Sequence, residues 1–519
     1  TLGTFAGARF TSSLQWGGHT RVRAKAREEI GEGKLTVRLQ TTVLGPDAPA
    51  DAANWFGGSA DPARKPTLVY PPDGTLVPPN LNELEFHFLP GADNSLFELS
   101  FRGSAIEVKV YFGCEPLGAG CIYTPDETTW TLLENGERGQ EPIKVTLRGV
   151  GDAGGKVGTS AEQTLGIAEE DIIGGIYYWN ADINGGIRRY DFGRRGQNAE
   201  NFIDRARAGA FTCVGCHVLS RDGSRNAVGM DTPGSSHKVF DVATRDVLYA
   251  KEAFVGGVSF FSFAPDASQI MTSTGCGIAV NDAMSGAAIG AIANEGSMPD
   301  WSPTGMNMVF ARPESSPGCS FFGGLPSVDH ASLEVLEFDG ATWGGGFTLV
   351  PYEGQNNYYP TYSPDAKWVM FSRSPSNASS MSAPDGQIWV VAASGGEPIW
   401  LERASTGVGD SWPKWAPTVQ MYRGRSLMWI TFSSYRQFGL RPVADPPIAS
   451  LWVAAFDPER SEIVEDPSYP AFWLPFQERD SSNHIGQWVT KVERQPCFGE
   501  GECASGEFCE GGVCVPRIE

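Results

Sequence analysis

Histidine and charge are both scarce in this 519-residue chain, which has six histidines and 19% charged side chains. No run of about 18 apolar residues occurs, so no transmembrane helix is expected. Helical periodicity is nearly missing, and its one candidate is 198–210, NAENFIDRARAGA. Positive charge is outweighed, with 40 Lys and Arg against 61 Asp and Glu. The resulting net charge of −21 argues against nucleic acid or anionic lipid as a partner and suits solubility or a basic redox protein. No G-x-S-x-G elbow, H-E-x-x-H helix or Walker loop is present. Gly149-Val150-Gly151-Asp152-Ala153-Gly154 has the glycine spacing of a dinucleotide turn, but no helix follows, and a hairpin turn is expected instead.

What is present is a globular composition, 41% hydrophobic, with 63 Gly and 36 Pro to punctuate many short strands. The length calls for several domains. The first residue is Thr1, with neither an initiator Met nor an apolar leader, as expected of the mature form of an exported chain in the periplasm or outside the cell. Ten cysteines fit that compartment. Cys114 and Cys121 are expected to close one loop, and Cys276 and Cys319 to form a long-range pair. Cys497, Cys503, Cys509 and Cys514 lie in a tail too poor in apolar residues to have its own core, so two disulfides are expected there, with connectivity open and a zinc site as the competing arrangement.

The expected fold class is all-β, in four parts. Residues 1–60 form an N-terminal strand module. Residues 61–172 contain LNELEFHFLP, LFELSF, AIEVKVYFG and PIKVTLRGV, whose spacing suggests a β-sandwich of immunoglobulin-like architecture, although the Cys…Trp…Cys arrangement of true immunoglobulin domains is missing. Residues 173–494 contain a repeat, and 495–519 are the Cys-rich tail.

The repeat is a tight turn before a hydrophobic strand: LSRDGSRNAVG at 219, FAPDASQIMTS at 263, WSPTGMNMVFA at 301, YSPDAKWVMFS at 362 and WAPTVQMYRGRSLMWITFS at 415. Each is followed by a second strand such as HKVFDVATRDVL or QIWVVAASGGEPI. This pattern resembles the repeats of TolB-like β-propellers. Five units are visible, and a sixth blade is expected from the two ends, GIYYWNA and GIRRYDF joining NHIGQWVTKV, so that the ring closes without exposed edges.

Cys213-Val214-Gly215-Cys216-His217 is the attachment motif of a c-type cytochrome: two thiols make thioether bonds and the adjacent imidazole reaches the iron. Chance supplies such a motif about twice in a thousand chains of this composition. One covalent haem c is therefore expected, on Cys213, Cys216 and His217. Ring closure makes the segments around His217 and His484 neighbours, so His484 is the first candidate for the second axial ligand. Met230, His237, Met298 and Met381 are the alternatives, the last two placed in loops near blade turns. For each Met the competing role is packing beside a strand. Arg188, Arg189, Arg194, Arg195, Arg205 and Arg207 are candidate partners of the propionates, and Trp179 and Tyr190 of the porphyrin edge.

The functional expectation is an extracytoplasmic monohaem cytochrome in electron transfer or as a redox accessory subunit, its partner a redox protein or larger assembly. Two alternatives remain: a haem enzyme with an open axial site for peroxide or a small nitrogen compound, and a binding or structural propeller in which haem is a staple.

Overall fold

Phe86 and Phe88 alternate along one strand, Phe86–Leu89, and Phe97 and Phe101 along the next, Leu96–Arg102; all four are fully buried. The two strands lie in different sheets, and the rings meet between them, Phe88 on Phe97 at 4.8 Å and Phe86 on Phe101 at 5.5 Å. The computed structural model describes residues 2–517 except 82, 183–184, 193–197, 209–213, 231–235, 253–257, 275, 294, 315–318, 323–324, 381–382, 463–465 and 504–505. Its strands fall into two units, Thr1–Ile172 with 421–425 and 437–443, and the remainder from Ile173.

The first unit is a two-sheet sandwich. Its smaller sheet runs Glu115–Leu117, Gly120–Tyr123, Phe86–Leu89, Thr67–Tyr70; its larger one runs Leu39–Leu44, Ile106–Gly113, Leu96–Arg102, Ile143–Val150, Gln163–Ile167, Thr75–Val77. Apart from the added edge strand Leu39–Leu44, this order is that of an immunoglobulin-type sandwich, whose first strand divides between the sheets. The segment 1–60 thus does not stand apart: Leu39–Leu44 pairs in parallel with Ile106–Gly113, and Ala52 and Phe56 are buried with Leu96 and Tyr111.

A helix, Glu127–Glu137, was not legible from periodicity. Asp126 caps it by accepting from the Thr129 N–H at 2.7 Å, and Trp130 and Leu133 supply its buried face. At its end Glu137 accepts from the N–H groups of Ser104, Ala105 and Ile106 at 2.9, 2.6 and 3.0 Å. The helix expected over 198–210 shrinks to Arg205–Ala208, because Glu200–Ile203 is the outer strand of a blade. Among the described residues no helix is long and apolar enough to cross a membrane.

The second unit is a propeller. Six sheets among the described residues have four strands each in chain order, the sixth with one further short strand. The innermost strands are Asn483–Val489, Val214–Leu219, Val258–Phe263, Ser297–Trp301, Asn356–Tyr362 and Ser411–Trp415, for blades 1 to 6. Each packs against the next, and the last against the first. Blade 1 combines both ends of the unit, with Asn483–Val489 pairing antiparallel to Gly175–Asn180, so the last strand of the ring completes the first blade.

The repeated turn joins the innermost strand to the second. In blade 5 the Ser363 hydroxyl donates to Asp365 at 2.6 Å, and Ala366 sits at φ +59, the left-handed region that tight reversal requires. The tail is pinned by Cys497–Cys509 and Cys503–Cys514, which takes every tail sulfur into a disulfide and removes the zinc alternative. Cys114–Cys121 also forms. Cys276 is disulfide-bonded, while the side chain of Cys319 lies outside the described residues.

Candidate functional site

The innermost strands share a defect that aligns them. In each, two residues oppose one on the second strand, a β-bulge, and the first of the two is Cys216, Met298, Tyr359, Trp412 or Ile485 in blades 2, 4, 5, 6 and 1. All five have positive φ, +44, +56, +53, +56 and +55. Five non-glycine residues in the left-handed region at equivalent positions mark a backbone held by its surroundings. They border one cavity at the mouth of the channel where the inner strands begin, together with His217 and Phe260.

The motif Cys213–His217 thus enters the innermost strand of blade 2 and carries its bulge. Cys213 lies outside the described residues. Cys216 is not disulfide-bonded and lies close enough to Tyr359 to raise that phenol's pKa, which burial and Tyr358 already push up. Gly215 is required as glycine, because a Cβ there would lie 2.7 Å from the indole of Trp179. His217 occupies the position that is Pro299, Pro360 and Pro413 in blades 4 to 6. Its imidazole is buried, with Nε2–H donating to the Tyr177 carbonyl at 3.2 Å and Nδ1 buried with no partner among the described residues. Burial depresses its pKa to about 3, so the ring is neutral at physiological pH and able to act as a ligand.

His484 stands one residue before the bulge in blade 1, the position of Gly215 in blade 2. Its ring lies 5.6 Å from Trp179, the indole that covers Gly215. Its Nδ1 is buried and unpartnered among the described residues, and burial lowers its pKa to about 4. Met298 is not in a loop, as the sequence suggested; it is the bulge residue of blade 4, 3% exposed, and its Sδ accepts from the Tyr359 N–H at 3.4 Å. Met298 therefore borders the same cavity as Cys216 and His217. Met381 and the side chain of Met230 lie outside the described residues.

His237 is placed elsewhere. It faces blade 3, 5.5 Å from Phe261 and 5.7 Å from Tyr249, whereas His217 faces Tyr177 of blade 1. Both of its ring nitrogens are buried without partners among the described residues, and burial lowers its pKa to about 4. As pH falls below about 6.5 the unfolded chain takes up a proton that the folded chain refuses until about pH 4, so stability is full above that window and lost through it. Urea titrations at pH 7.5 and 4.5 are expected to show His237→Leu losing about 2–3 kcal/mol less than the parent.

The arginines near the motif are committed to carboxylates. Arg188 binds Glu478 at 2.6 Å, and Arg189, 1% exposed, binds Glu200 at 2.7 Å. Arg494 and Arg245 share Glu200, and Arg245 reaches Glu507 of the tail at 2.5 Å. Arg194 and Arg195 lie outside the described residues. Tyr190 is taken up by Phe476, stacked at 3.4 Å; Trp179 stays beside the motif.

Sequence inspection missed Tyr359, Trp412, Asp300 and Lys414. A signal for them exists in SMPDWSP, YYPTYSP and SWPKWAP, where a proline recurs three residues before the turn's Ser or Ala and marks the bulge.

No family model matches the chain, and no curated protein matches it. Among solved structures it is similar to TolB from Acinetobacter baumannii, at 11% identity over 91% of this chain and 99% of that one, with a TM-score of 0.43. It is also similar to Kuenenia stuttgartiensis hydrazine synthase, at 12% identity over 62% of this chain and 75% of that one, with a TM-score of 0.37. No activity is carried across at that distance.

Proposed function

We propose that this chain is an exported c-type cytochrome whose single haem is attached at the mouth of a six-bladed propeller and which transfers electrons or serves as the redox subunit of an assembly. The observation that carries this is the coincidence of Cys216 and His217 at the bulge of one inner strand, beside a cavity walled by Phe260, Met298, Tyr359 and Trp412. The donor set suits the group. One ring nitrogen of His217 is tied to a backbone carbonyl and the other is buried and unpartnered among the described residues, which is how a protein orients a ligating imidazole. Haem supplies one-electron exchange at a potential set by axial ligands and burial. The chain's own residues do the rest: the Trp179 indole lies against Gly215, aromatic side chains wall the cavity, and the disulfides fit an oxidising compartment.

Intact mass of the chain, produced in a periplasm competent for haem attachment, is expected to exceed the polypeptide mass by one haem. An unmodified mass overturns the proposal. The cavity beside His217 supports a second reading, a haem enzyme with an exchangeable axial position. Spectral change on adding cyanide or carbon monoxide favours the enzyme; an inert low-spin spectrum favours electron transfer.

A further inference from the structure

Two residues past the bulge the inner strands place a ring of six side chains, Gln487, Val218, Phe261, Asp300, Thr361 and Lys414 for blades 1 to 6. Below it the channel opens into a second cavity. Val218, Lys414 and Gln487 border both cavities, so the ring is the waist between them. Three charged residues line the lower cavity: Lys414 and Asp300 of the ring, and Arg221 of the turn that ends the blade 2 strand.

Their charges do not cancel locally. The Asp300 carboxylate is used by the backbone, accepting from the Tyr362 N–H at 2.7 Å and from the Ser262 hydroxyl at 3.5 Å. Arg221 donates one guanidinium hydrogen bond, to the Trp301 carbonyl at 3.1 Å. Lys414 has neither a hydrogen-bond nor an ion-pair partner among the described residues. Burial, with Arg221 nearby, pulls its pKa down against the opposing pull of Asp300. Asp300 acts on both cations, but two cations facing one carboxylate leave the cavity one positive charge in excess, which a bound anion would offset. The rest of the wall is mixed, with the aromatic Phe263, Tyr362, Trp415 and Trp488 beside the polar Ser262, Thr361 and Gln487.

We propose that the waist of the central channel is a binding site for a small organic carboxylate with an apolar body, its carboxylate held by Lys414 and Arg221 and its body by the aromatic wall below. Lys414 supplies a compact charge and Arg221 a planar donor pair, as carboxylate recognition requires. The site needs no haem, so its failure and that of the cytochrome assignment are separate results.

Benzoate and its neutral isostere benzamide are the probes, titrated into the full chain at constant ionic strength with gluconate as the balancing anion. Calorimetry is expected to show saturable binding of benzoate and none of benzamide at the same concentrations. Lys414→Met, which removes a half-buried cation that makes no hydrogen bond among the described residues, is expected to fold and to weaken benzoate about tenfold or more, and Arg221→Gln similarly. Absence of saturable benzoate binding, equal binding of benzamide, or undiminished binding by Lys414→Met each overturns the proposal.

Discussion

A chain in which Cys213 and Cys216 are both alanine is expected to leave the periplasm without covalent haem, while His217→Ala retains the added mass and loses the low-spin spectrum. The thiols and the imidazole act at different points: attachment needs two sulfurs, whereas spin state follows the field at the iron. The effect is all-or-none for mass, and it is read by intact mass and visible spectroscopy on the same samples. The second axial position is tested in the same series. His484→Ala and Met298→Ala differ in what they touch, since His484 packs on the indole that covers Gly215 and Met298 lies across the cavity from the motif. Whichever variant turns high-spin identifies the ligand, and a spectrum unchanged in both eliminates both.

Ending the chain after Ser482 is expected to abolish folding of the propeller, whereas ending it after Arg494 leaves a folded ring. The first truncation removes Asn483–Val489, the innermost strand of blade 1, and with it the pairing to Gly175–Asn180. It also removes the buried Ile485 and Val489 and the Trp488 indole, which donates to Thr431 of blade 6 at 3.0 Å. The inner edge of Gly175–Asn180 would then be open at the centre, with unpaired backbone groups. The second truncation removes only the tail with its two disulfides and the Glu507–Arg245 pair; Arg494 remains to neutralise Glu200. Cooperative unfolding of the longer product and insolubility or non-cooperative unfolding of the shorter is the expected contrast. Equal behaviour of the two would show that closure is not what holds the ring.

Much of this architecture was legible because it repeats. A Ser-Pro-Asp-like turn before a hydrophobic strand is a local feature, decided by Pro, Asp and the left-handed residue that follows, and a fivefold recurrence is visible in the chain itself. The inner strands were harder. Their apolar alternation is broken by a bulge and by prolines, so SMPDW and SWPKW do not read as strands although both line the channel. The helix Glu127–Glu137 escaped because its residues carry little intrinsic preference; Asp126, the buried Trp130 and the Glu137 clamp hold it in place. The opposite error, a helix over 198–210, came from local preference overridden by the outer edge of blade 1.

The sequence by itself determined the chemistry on offer: two thiols and an imidazole within five residues, cysteines that pair as disulfides, and a repeat whose two ends complete one blade. Which side chains that chemistry meets was decided only in three dimensions. Bulges bring residues 216, 298, 359, 412 and 485 to one mouth, and closure sets His484 beside the indole over Gly215. The same packing places Lys414, Arg221 and Asp300 on one cavity, two cations against one carboxylate. The physical reason is one of range. Turn formation and thioether spacing depend on neighbours in the chain, whereas a channel wall takes one residue from each of six strands that only tertiary packing aligns.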